Sequence, residues 1–406
     1  MERKDSGRYD QLALFAAPHR SMFLAGGSML LIGFVLWAIE LAARVGLATP
    51  TQWSLAPGVM HAMLVVGGVF PFFMKGFLLT AMPRWQGMAD LDQSPWIGPW
   101  HLIVAGWLVT ILGLVVPALL VGGLLTVLAG WIFILRVLWE VAHQPRADRV
   151  HARCVTYAFF AGAVALAAWT VHALTGDGVW ARMAVNAGIW WFLLPVFFTV
   201  CHRMIPFFSA NVIDDYTMVR PRAALWWMLA ASVVHGALAM LGKVHLAWLV
   251  DAPAAAIALW LSWHWRLRAS LKVPLLGMLH IGFAWLGIAL LLFTFQNLAA
   301  SFGKYVLGMA PLHALGIGFF ASILFAMVSR VTLGHSGQAL QADAYTWRLF
   351  LGLQAVVVVR LAADLASSSH GAFMLLAVLG WLAVFGAWAV RYLPVYWRPR
   401  KDGKPG

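Results

Sequence analysis

The sequence predicts an all-α polytopic membrane protein: a bundle of twelve transmembrane helices with both termini in the cytoplasm. Three observations carry that expectation. Of 406 residues, 62% are hydrophobic and only 11% charged, with a mean hydropathy of +0.82; a water-soluble globule needs a far larger charged surface. The apolar residues fall into runs of about 20, the length at which a helix crosses roughly 30 Å of hydrocarbon. The cations gather in short clusters between those runs, on alternate connections along the chain. In a soluble protein the net charge of +13 would suggest nucleic acid. Here it reports topology, so the expected partner is the lipid bilayer and no nucleic-acid partner is expected.

Taken in order, the runs lie at about 22–43, 57–82, 97–116, 119–141, 155–175, 183–203, 222–242, 244–263, 275–298, 306–329, 346–365 and 370–393. The first follows a short polar segment, 1–20. It is too long for a signal-peptide core and has no clear cleavage site, so it reads as an uncleaved first span. Spans three and four are split at Pro117, where Gly122 and Gly123 suggest a tight turn. The chain reads as one transmembrane domain over 1–406, closed by a polar tail, 395–406.

With the N-terminus in the cytoplasm, twenty-one cations fall on that side, among them Arg3, Lys4, Arg8, Arg146 and Lys404. Only Arg44, Arg182, Lys243, Lys304 and Arg360 fall on the other, while Lys75 and Arg136 stay inside spans two and four. The positive-inside rule therefore supports twelve spans. Tryptophans near the span ends, such as Trp53, Trp85, Trp180 and Trp397, fit interfacial belts.

Polar groups within the bilayer are costly, so their positions carry information. His61 and His313 open spans two and ten, each within about a turn of a proline, and belong at similar shallow depth under the periplasmic face. Two imidazoles at one level on different helices suit the axial ligands of a flat iron macrocycle, and Gly67, Gly68, Gly316 and Gly318 would allow its close approach. The competing assignment is a hydrogen bond from each histidine to a neighbouring helix or an interfacial water. Arg360 and Asp364, one turn apart near the periplasmic end of span eleven, are expected to pair. Arg360 would also neutralise a carboxylate of such a macrocycle.

A second set, His202, His280 and His335, sits near the cytoplasmic side with Arg203 and Arg330. Metal binding, proton relay and anion binding compete there with plain helix-end and lipid-phosphate contacts. His235, within span seven, reads as an intramembrane metal ligand or a buried hydrogen-bonding residue. Lys75 lies about 21 Å deeper than His61 and is expected to snorkel to the cytoplasmic interface. Cys154 and Cys201 form no CxxC pattern, which disfavours covalent haem, iron–sulfur and zinc-ribbon sites. No Walker, GxSxG, HExxH or dinucleotide motif is present, so no catalytic residue is assigned.

Four blocks, 61-HAM…GFLLTAMPRW-85, 203-RMIPFFSAN-211, 279-LHIGFAWLG-287 and 313-HALGIG…SRVTLGHSG-337, give the chain a resemblance to the NnrS family over nearly its whole length. The resemblance implies a bacterial inner-membrane protein associated with haem and copper, with denitrification, and with nitric oxide response or tolerance under nitrosative stress. The family reads His-Ala-His-Glu at the second span, whereas this chain has His61-Ala62-Met63-Leu64. More distantly, the chain is similar to haem–copper oxidase catalytic subunits, whose low-spin haem ligands lie on spans two and ten. His61, Pro71, Gly76 and Pro83 follow that pattern, and His313 matches the second histidine of the His-x-His pair. Pro311 stands in place of the first, and the copper histidines have no counterpart apart from His235. The resemblances imply a haem b held by His61 and His313 without an oxygen-reducing centre; nitric oxide is a possible partner, and the redox partner is unknown. A twelve-span transporter and a non-catalytic assembly partner of a nitric oxide or copper enzyme are the alternatives.

Overall fold

Among the described residues, twelve helices of 17 residues or more account for most of the structure. The computed structural model describes residues 12–144, 149–366 and 369–403; Arg3, Lys4, Arg8, Arg146 and Lys404 lie outside them, as do residues 1–11 of the polar N-terminal segment and 404–406 of the tail. The helices are α1 (Pro18–Arg44), α2 (Pro57–Trp85), α3 (Ser94–Gly113), α4 (Pro117–Ala142), α5 (Val150–Thr175), α6 (Gly178–Ala210), α7 (Arg222–Met240), α8 (Trp248–His264), α9 (Pro274–Ala300), α10 (Ala310–His335), α11 (Ala344–Leu365) and α12 (His370–Tyr392). No strand occurs among the described residues.

Ten of these helices are long and apolar enough to cross a membrane, which makes the protein an all-α polytopic membrane protein. The other two are α8, only 17 residues long, and α11, which carries Arg348, Arg360 and Asp364.

Prolines set many of the starts. Pro18, Pro57, Pro117 and Pro274 occupy the first helical position, where a missing N–H costs nothing and the fixed φ suits the helix. Pro117 therefore opens α4, and the turn expected there occupies Leu114–Val116, with Val116 N–H donating to Leu112 O at 2.9 Å. Gly122 and Gly123 lie inside α4, and not in the turn. A Cβ on Gly123 would stand 2.5 Å from the backbone nitrogen of Thr110, so Gly123 is what lets α3 and α4 cross closely.

Burial singles out every fourth helix. Within α2, α6 and α10 the most apolar windows are 83%, 83% and 78% buried, against 39–67% in the other spanning helices. These three form the centre of the bundle, and each widens into a π-helical stretch: Met63–Val69, Ala187–Leu193 and Ala314–Ala321. Two have a proline just beyond. Pro71 and Pro195 donate no hydrogen bond to the carbonyl four residues back and crowd it, and the ladder adapts by lengthening its reach. Phe70 N–H accordingly bonds Val65 O, and Leu194 N–H bonds Ile189 O. In α10 the Ser322 hydroxyl donates to Ile317 O across five residues, at 3.4 Å.

Candidate functional site

A cavity of about 540 Å³ opens between the first halves of the three central helices and is closed by α1, α11 and α12. Most of its wall is apolar. Its ionisable lining side chains are His61 from α2, His313 from α10, Arg182 from α6 and Arg360 from α11, joined by the amide of Asn186. The volume and this sparse polar set match the general form of a small-molecule site.

His61 sits one turn into α2. Its ring stacks on Trp37 at 4.5 Å and 21°, and meets Phe34 edge-on at 5.6 Å. Nδ1 is buried without a hydrogen-bond partner, and so is Nε1 of Trp381, another lining residue. Such an orphan costs about 1–3 kcal/mol. His313 is fixed differently: its Nδ1–H donates to Met309 O at 2.9 Å. In the neutral ring this leaves the Nε2 lone pair as the acceptor or ligand atom. The loop that delivers His313 is tied to α9, where Gln296 accepts from Leu307 N–H at 2.8 Å and donates to Gly308 O at 3.1 Å.

Arg360 and Asp364 pair as expected, at 2.8 Å, and both are largely buried. Arg182, which sequence reasoning left among the periplasmic charges, joins Arg360 on the cavity wall. Of the four glycines expected to admit a flat ring, only Gly316 lines the cavity. Gly67 packs against Trp107 and Trp169, Gly68 against Met29, and Gly318 against Trp285; their missing side chains make room for bulky neighbours instead.

The remaining histidines form separate pairs, not one cytoplasmic group. His202 is wholly buried. Its Nε2–H donates to Pro221 O at 3.1 Å, so Nδ1 accepts from His151 Nε2–H at 3.0 Å. His280 Nε2 meets Ser209 Oγ at 2.9 Å. His335 packs on the ring of His19 at 4.5 Å. Arg203 and Arg330 lie over the rings of Trp85 and Phe208, 4.9 and 4.0 Å from the centroids. Among the described residues no group of three or more His, Cys, Asp or Glu is placed to hold a metal ion.

His235 binds a residue that the sequence reading passed over. Its Nδ1 lies 2.7 Å from Asp251 Oδ1, while Asn297 donates to Asp251 Oδ2 at 3.0 Å, and its ring stacks on Trp190 at 3.5 Å. Asp251 is the lone acid of span eight, and that isolation was the available signal. Lys75 departs from expectation as well. It is 1% exposed, and its Nζ stands 3.6 Å from the Trp131 ring centroid, which replaces the interfacial water expected of a snorkelling chain.

A family model described as NnrS protein matches residues 13–400. The chain belongs to the NnrS family. No curated protein matches it. Within this NnrS protein the two residues that follow Ala62 are core: Met63 is fully buried and Leu64 is 1% exposed.

Proposed function

We propose that this NnrS protein holds haem b in the cavity between His61 and His313 and serves nitric oxide response or tolerance in the cytoplasmic membrane of a bacterium. The observation that carries the reading is the convergence of those two histidines, 252 residues apart in sequence, on one largely apolar cavity. The residues fit the group. His313 has its tautomer set by Met309, His61 lines the same cavity from α2, and Arg182 and Arg360 supply positive charge for carboxylates on an otherwise apolar wall.

Haem supplies a redox-active iron when bound. The protein's part is to orient two imidazoles, exclude bulk water with Phe34, Trp37 and Trp381, and balance the anionic edge of its ligand. Two protein ligands suit electron transfer or sensing better than turnover, so a redox partner is part of this reading. Copper, also implied by the family, has weaker support: His202 has both nitrogens engaged within the protein, and His280 and His335 lie in separate pairs.

One observation favours a second reading, a proton-coupled carrier. The buried Asp251–His235–Asn297 cluster is the kind of intramembrane acid that such carriers use.

The test is haem content per protein after purification in mild detergent. His61→Ala and His313→Ala are each expected to lose at least tenfold, with Met63→Leu retaining wild-type content. Full haem content in both alanine variants refutes the assignment.

A further inference from the structure

A second cavity lies on the cytoplasmic side of the first, along the same three helices. On α2 the first takes Val65, Val66 and Phe70, and the second takes residues from Phe73 to Leu78. On α6 the boundary falls between Leu193 and Val196, and on α10 between Phe320 and Ile323. On each central helix the lower lining begins three residues after the upper ends, about 4.5 Å along the axis. Phe70, Phe197 and Phe320 stand at that level, with ring centroids 5.6, 5.8 and 4.8 Å apart for the pairs 70–197, 70–320 and 197–320.

We propose that this lower chamber is a binding site for a small nonpolar gas, a diatomic of the size of nitric oxide or dioxygen. Its volume is about 50 Å³, and every lining residue is apolar. A single water needs only about 10–15 Å³ but two to four polar partners; the chamber offers the room and none of the partners. A nonpolar diatomic loses no hydrogen bonds on entering and gains dispersion contacts that an empty void forfeits. Such gases also concentrate in hydrocarbon, which is the protein's own surroundings. The aromatic trio stands at the boundary between this chamber and the cavity lined by His61 and His313. Binding in the chamber is independent of what fills that cavity; delivery of gas to a haem there rests on the reading above.

The test uses crystals of the full chain pressurised with xenon, and in a second arm with dioxygen. One xenon peak among Val196, Val200, Ile323 and Met327 is expected, lost in Val200→Phe while that variant keeps wild-type haem content. Should Val200→Phe fail to fold, Ile323→Phe fills the same space from α10. No peak in the wild type, ordered water in the chamber, or a peak that persists in a folded filled variant overturns the proposal. A xenon peak in protein that takes up no haem supports the chamber and contradicts the haem reading, so the two fail separately.

Discussion

Lys75 shows how a single side chain is resolved by its neighbours. Nothing in the run 70-FPFFMKGFLL-79 says which helix its amine will meet, and the Trp131 ring that receives it lies 56 residues away in sequence. A desolvated cation–π contact contributes about 2 kcal/mol, against the cost of holding an amine away from water. A double-mutant cycle with Lys75→Met and Trp131→Leu is expected to give a coupling of about 1–2 kcal/mol; strictly additive effects on unfolding contradict the contact. At the C-terminal end of α2, the Arg84 guanidinium hydrogen-bonds Asp90 and holds its carboxyl below the usual carboxylate value. A depressed folded pKa means that stability is present above the unfolded value of 3.8 and is lost as pH falls through the folded one. Both side chains are more than half exposed, so Asp90→Asn is expected to cost no more than about 0.5 kcal/mol at pH 7. Its effect on thermal unfolding should vanish in acid. His61, His313 and Arg360 were legible in the sequence because each is a polar residue in an apolar run. His19, His151 and Asp251 draw their meaning from partners on distant helices, which no local pattern encodes.

The helices were legible as elements, because period, length and proline starts are local properties. Their internal irregularities were less so. Pro71 and Pro195 mark two of the π stretches, while the third has only Gly316, Gly318 and Ser322 to announce it. The glycines differ by environment in a way composition cannot express. Nothing lies within 4 Å of a Cβ built on Gly316, whereas one on Gly318 would stand 2.7 Å from Trp285 and one on Gly123 would collide with the Thr110 backbone. Gly316→Ala is therefore expected to be neutral or to stabilise by up to about 1 kcal/mol. Gly123→Ala is expected to destabilise by about 1–3 kcal/mol, since the α3–α4 crossing must open to admit it. Thermal unfolding in detergent checks both; equal effects would contradict the packing described. A larger side chain at Gly316 has a separate consequence: Gly316→Leu is expected to reduce occupancy of the cavity while leaving the fold in place.

For the whole molecule, the polytopic all-α class was readable and the tertiary arrangement was not. Charge asymmetry between loops gives the expected direction of the spans. By contrast, a helix face turned to lipid and one turned to protein are both apolar, so nothing in the sequence announces α2, α6 and α10 as the central three. The twelve-span arrangement with cytoplasmic termini, including the short α8 and the charged α11, predicts a labelling pattern. In an otherwise cysteine-free protein, a cysteine at Lys304 should react with an impermeant maleimide in intact cells, and one at Gln341 only after lysis. The reverse pattern, or labelling of both before lysis, contradicts the topology. The cavity framed by the three buried helices is proposed to hold haem between His61 and His313. The most direct test is the visible spectrum of the purified wild-type protein, oxidised and then reduced. Sharp reduced bands of a six-coordinate b-type haem are expected; a folded protein that stays colourless after exposure to haem contradicts the two-histidine assignment.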